Sequence, residues 1–235
     1  MTQLLLGSAE LDAITLSFKV TLTALVASLP IGILVGWLLA RRQFRGKVLL
    51  ETLCMLPLVL PPVVVGYLLL ILFGRRGPIG RALEHWLGAS ITFTWWGAAL
   101  AAGVVGFPLL VRSVKIGFAA IDPRLETMAR SLGAGRMRAF FSVSVPLSWS
   151  AIVSGAVLAF ARGWGEFGAT IVVAGSIAGQ TRTVPLAIYG ALETPNGLDR
   201  AWGLVVVSIL VAAAAIGISE WLARRGNRDN AARND

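Results

Sequence analysis

RLETMARSLGAGRMRAFFSVSVPL, Arg124 to Leu147, lies between two long apolar runs. It carries five charged residues, a Gly-Ala-Gly break and a closing proline. Asp122-Pro123, just ahead of it, is a helix start, with Asp as the cap and Pro at the first helical position. Leu125, Met128, Ala129 and Leu132 then recur at i, i+3, i+4 and i+7, which lays one apolar stripe along a helix. Gly133 stands where a left-handed residue ends a helix. The pattern predicts an amphipathic helix over 123–133 and a turn at Ala134-Gly135. A second helical run then re-enters apolar sequence at Pro146. A helix of about two turns is marginal in water by itself, so this one needs a surface. Periodicity leaves two candidates open: the lipid headgroup layer or another protein.

The rest of the chain says which kind of molecule carries this segment. Of 235 residues 56% are hydrophobic and 14% charged, and mean hydropathy is +0.77; soluble domains have about 25% charged residues. Apolar runs long enough to cross a bilayer recur. They predict an all-α polytopic membrane protein with five spans, near Val20–Ala40, Thr52–Phe73, Phe93–Val111, Val143–Ala161 and Ala201–Leu222. Residues 1–225 form one transmembrane domain on this reading, and 226–235 a short polar cytoplasmic tail. The sequence ahead of Lys19 has no basic residue, so it lacks the n-region of a secretory signal. The first run is read as a retained span, with no extra span before it.

Net charge is +9. In a soluble protein this would suggest nucleic acid, but here the cations cluster beside the spans. Fourteen of the 21 Lys and Arg fall in the first connection, the third connection and the tail. Six fall on the opposite side, and Lys19 lies at the outer edge of the first span. The positive-inside bias therefore places the Arg124–Leu147 segment and the C-terminus in the cytoplasm and the N-terminus outside. An odd number of spans agrees.

Gly32 and Gly36 have the spacing that lets helix backbones approach closely, which is ordinary bundle packing. Pro57, Pro61 and Pro62 interrupt the second span, so its freed backbone groups need protein or water partners. That span is expected to face the bundle interior or a pathway. Residues 163–200 are mildly apolar but broken by glycines and polar residues. They fit a re-entrant or outward-facing connection, or an extension of the fourth span, and not a sixth full span.

Little in the chain carries covalent chemistry. No phosphate loop is present, since Gly46-Lys47 is followed by Val48. There is no metal-ligand motif, and the single cysteine, Cys54, makes no internal disulfide. His85 lies in an outer connection, where a surface role is expected. No convergent titratable set marks a catalytic centre, so the expectation is no enzyme, no catalytic residue, no metal and no cofactor bound by this chain. Arg162 and Glu166 are four apart and share a helix face. They are read either as an interfacial ion pair or as support for an anion path.

The segment from Glu126 to Pro146 resembles the cytoplasmic signature of type I ABC importer permeases: Glu-Ala-Ala, three residues, Gly, nine residues, Ile, one residue, Leu-Pro. Ala129, Gly133, Val143, Val145 and Pro146 fall at corresponding positions. Thr127 stands where that pattern has Glu, Met128 replaces Ala, and Glu126 lies one place early, as it does in related oxyanion permeases. LPLVLPPVVVGYLLLILFGRRGPIG (56–80), WGEFGATIVVAG (164–175) and TRTVPLAIY (181–189) look like the molybdate permeases. The Gly-Glu-Phe-Gly stretch is similar in sulfate permeases too.

The resemblance implies that 123–133 is a coupling helix seated on a separate ATPase, with Glu126, Thr127, Met128, Ala129, Gly133, Ala134, Gly135 and Pro146 at the junction. It implies a homodimer with the pathway between two copies and an ATP-binding cassette ATPase dimer that holds ATP and magnesium. An extracytoplasmic molybdate-binding protein delivers the anion, and nucleic acid has no part. Pro61, Pro62, Arg162, Glu166, Phe167 and Gly168 are the candidates to line or gate the path. The expected function is ATP-driven molybdate import across a bacterial inner membrane by alternating access. The rivals are a sulfate, thiosulfate or tungstate permease, a self-powered carrier, and a scaffold that transports nothing.

Overall fold

The computed structural model describes residues 7–195 and 197–231, and every regular element among them is helical. Helix α1 spans Ser8–Arg41, α2 Lys47–Val59, α3 Pro62–Phe73, α4 Pro78–Leu87 and α5 Trp95–Ala119. Then come α6 (Pro123–Ser131), α7 (Arg136–Ala139), a π-helical segment (Phe140–Ser144) and α8 (Val145–Leu147). The chain closes with α9 (Trp149–Trp164), α10 (Gly168–Ala174), α11 (Val184–Leu192) and α12 (Gly197–Ala231).

Three helices are each long and apolar enough to cross a membrane: α1, α5 and the Gly197–Leu222 part of α12. Two bent pairs, α2 with α3 and Arg136–Leu147 with α9, pass the same test together, so the described residues hold three candidate crossings, or up to five if each bent pair is one span. The expected second span is not one helix, because α2 and α3 meet at 118°. The cause is local. A residue before proline is pushed out of the helical region, and Pro61-Pro62 imposes this twice in succession. Leu60 and Pro61 are accordingly extended, with ψ of 143° and 133°.

The expected fourth span is also broken, between Arg136–Leu147 and Trp149–Trp164, at 69°. Pro146 has no N–H, and its ring crowds the carbonyl four residues back. The helix widens instead, and the Val145 N–H reaches the Phe140 carbonyl to close a π turn.

Element ends differ from the sequence expectation where charges sit on an outer face. Helix α1 begins at Ser8, twelve positions earlier than expected, because Asp12 and Lys19 lie off the face on which Ala13, Ser17 and Val20 are buried. Helix α5 runs past Arg112 and Lys115 because Val111, Val114 and Phe118 continue its buried stripe. The tail expected from 226 continues α12 as helix to Ala231, and residues 232–235 lie outside the described residues. Residues 163–200 extend α9 to Trp164 and then form two short helices, α10 and α11.

Helix α5 is the axis of the bundle, with 61% of its most apolar window buried against 22% for α1. It packs on α1 through the Gly32/Gly36 pair. A Cβ on Gly32 would meet Leu110 Cδ2 at 2.5 Å, and one on Gly36 would meet Val114 Cγ1 at 2.5 Å. On its other side α5 meets α9, where Ser113 Oγ donates to the Ala151 carbonyl at 2.7 Å. Helix α9 in turn contacts α12, with Ser154 and Ser219 hydroxyls 2.7 Å apart. Large apolar side chains stay exposed along α1, α3 and α12, among them Val26, Leu34, Tyr67, Ile209 and Leu210. A water-soluble chain avoids so much exposed apolar surface.

Candidate functional site

Helix α6 stands out from the bundle, with no residue fully buried. Asp122 caps its start by accepting from the Arg124 N–H at 2.9 Å, and Pro123 occupies the first turn. Its end is closed by two backbone bonds: Ala134 N–H to the Ala129 carbonyl at 3.1 Å, and Gly133 N–H to that of Arg130 at 3.0 Å. Gly133 has φ of +90°, the left-handed geometry that this double-bonded cap needs and that a Cβ disfavours. Gly135 then starts α7. Short as it is, α6 is fixed at both ends by its own sequence.

Three large apolar side chains are among those that α6 and its C-cap show to the outside. Met128 is 62% exposed and Leu132 88%, with Leu125 beside them. Thr127 is also exposed, its hydroxyl donating back to the Pro123 carbonyl at 3.3 Å. Ala129 and Ala134 are half-buried. The stripe read from the sequence is therefore an outward face.

Glu126 faces the other way. Ser144 Oγ donates to its carboxylate, and Arg41 Nη2 lies 3.8 Å from it. Ser144 is fully buried in the π segment, and Arg41 ends α1. One carboxylate thus joins α6 to the end of the first helix and to the segment shaped by Pro146. Nearby, Lys115 of α5 pairs with Glu51 of α2. Arg41 and Ser144 were not singled out by their sequence. Their only signal is an Arg at a span end and a Ser within an apolar run, and both are common.

The second group of candidate residues also comes together. The Arg162 guanidinium donates to Glu166 Oε2 at 2.8 Å, and Glu166 Oε1 accepts from the Ala169 N–H at 2.8 Å. Glu166 is 2% exposed, so this buried charge is paired with a cation and also caps the first turn of α10. Gly168 abuts the proline break: a Cβ there would meet Pro62 Cβ at 2.8 Å. Gly66 of α3 likewise leaves no room for a Cβ beside the Ala169 backbone, at 2.8 Å. The Phe167 ring lies 5.1 Å from that of Tyr189 on α11. Pro61, Pro62, Arg162, Glu166, Phe167 and Gly168 thus form one junction of α3, α9, α10 and α11. His85 lies apart on α4, against Trp86.

Residues 28–228 match the family model described as binding-protein-dependent transport system inner membrane component. The chain belongs to that family. This inner-membrane component is 51% identical to the molybdenum transport system permease protein ModB of Escherichia coli (strain K12), over 94% of its own length and 96% of the relative's. It is 46% identical to ModB of Haemophilus influenzae, over 92% and 94% of the two chains. Its fold matches a chain in the crystal structure of a bacterial alginate ABC transporter in complex with an alginate pentasaccharide-bound periplasmic protein. The TM-score is 0.63 at 17% identity, over 94% of this chain and 80% of that one. The fold is that of a type I ABC importer permease, and the component is a multi-pass membrane protein.

Proposed function

We propose that this chain is the membrane-spanning permease subunit of an ATP-driven molybdate importer. The observation that carries the substrate is its 51% identity to a molybdenum permease over nearly the full length of both chains. The outward apolar face of α6, on a helix closed at both ends, supports the manner of drive. In this reading α6 is the coupling helix. Two copies of the chain flank the pathway, and an ATPase dimer holding ATP and magnesium seats both coupling helices. The α6 end faces the cytoplasm with the C-terminus, and the N-terminus faces outside, where a molybdate-binding protein docks.

Closure of the ATPases moves α6. The Glu126 carboxylate passes that motion to α1 through Arg41 and to the π segment through Ser144, and Pro146 relays it into α9. At the far end of α9, the Arg162–Glu166 pair and α10 press on the proline break between α2 and α3. Rocking of these bundles alternates access to the path. The permease contributes position and motion, while nucleotide hydrolysis belongs to the ATPase.

Reconstitution tests the proposal. Vesicles holding the permease, its ATPase and its binding protein are expected to accumulate molybdate only with ATP. Competition by tungstate and sulfate then orders the oxyanions. Uptake by the permease alone, without ATPase or ATP, would indicate a self-powered carrier. Absence of any uptake, with all three proteins folded and assembled, would leave a scaffold.

A further inference from the structure

A cavity of about 600 Å³ lies between the second half of α1 and the corner formed by α6, α7 and the π segment. Its inner wall is apolar, built from Ile33 and Trp37 of α1 against Phe140, with the Trp37 and Phe140 rings edge to face at 5.6 Å. Its polar lining is cationic: Arg42, Arg130 and Arg136. None of these three is in an ion pair among the described residues. The only acid in the lining is Glu126, which Ser144 and Arg41 already engage. Glu126 and Arg130 are four apart on α6 and lie off the Leu125/Met128/Leu132 stripe. The cavity and the outward apolar face are therefore separate surfaces of one helix.

We infer that this cavity binds an anionic phospholipid, with its headgroup phosphate among the three arginines and an acyl chain along Ile33, Trp37 and Phe140. An apolar wall ending in three guanidinium groups with no carboxylate partner among the described residues, Arg42 lying over the Trp37 ring at 5.7 Å, suits a molecule that is a hydrocarbon at one end and an anion at the other. Bound there, the lipid bridges α1 to the α6–α7 corner and steadies α6 from the side opposite its outward face. The proposal uses the cytoplasmic placement of α6 given above, because the site then opens to the inner leaflet.

The test uses the full chain in vesicles, without ATPase, binding protein or molybdate, so it does not depend on transport. Brominated phosphatidylglycerol and brominated phosphatidylcholine are compared as tryptophan quenchers, and Trp37→Phe identifies the Trp37 contribution. Stronger Trp37-dependent quenching by phosphatidylglycerol is expected. Arg42→Gln and Arg136→Gln should each weaken its retention about fivefold, and the Lys variants should restore most of it. Inorganic phosphate should not displace the lipid. Equal quenching by the two lipids overturns the proposal, as does displacement by phosphate, which would mean a small-anion site. If a Gln variant fails to elute as folded protein, the two-lipid comparison on the unaltered chain still decides. Intact lipid preference without ATP-driven uptake would overturn the transport reading and leave this site standing.

Discussion

Glu126 shows how a single carboxylate changes meaning between sequence and structure. In the sequence it lies one position early for the signature it resembles. In the structure that position turns it inward to Ser144 and Arg41, off the outward stripe. Glu126→Ala strands the buried Ser144 hydroxyl and removes the one carboxylate beside Arg41, at a cost of about 1–3 kcal/mol. The expected result is faster hydrogen exchange in 123–131, which amide-resolved mass spectrometry measures, with the bundle unaffected. Arg162→Ala should do more harm than Glu166→Gln. The first leaves a buried carboxylate unpaired, about 3–5 kcal/mol, while the second keeps an oxygen for the Ala169 N–H. Thermal unfolding in detergent gives the order, and the reverse order would count against a structural pair at this junction.

Among the elements, α6 and the α2–α3 break carry the function proposed. Gly133→Val places a β-branched residue at φ +90°, which costs about 1–2 kcal/mol and loosens the end of α6. ATP hydrolysis by the assembled complex should continue while molybdate uptake falls, with the permease still in the membrane. Wild-type uptake in that variant would remove α6 from the coupling role. Replacing Met128 and Leu132 together by Glu should abolish co-purification of the ATPase, since the outward face loses its apolar contact. The helix itself should remain, because both caps are untouched.

At the scale of the whole molecule, α5 is central and α1 wraps it through Gly32 and Gly36. Gly36→Leu should force α1 away from Val114, with a loss of about 1–3 kcal/mol from overpacking. Lower thermal stability of the purified permease is the readout. Because α1 also carries Arg41 and Trp37, the same change should reduce ATP-driven uptake even though it lies outside α6.

Much of this was legible from residue order alone. Apolar runs about as long as a bilayer is thick located the three long apolar helices and the two bent pairs. Asp122-Pro123, the 3–4 spacing of the stripe and Gly133 located α6, because caps and periodicity are local properties of a helix. The α1–α5 contact was legible as a glycine pair, though without its partner. Tertiary structure decided the rest. Hydropathy averages over a window, so it could not show how sharply the chain bends at Pro61-Pro62 and near Pro146, by 118° and 69°. It also could not show that α1 starts at Ser8 with Asp12 and Lys19 turned outward. Nor could it join Glu126 to Arg41 and Ser144, which lie 85 and 18 positions away in the chain. Those contacts depend on how helices pack against each other, and no spacing along a single helix encodes that.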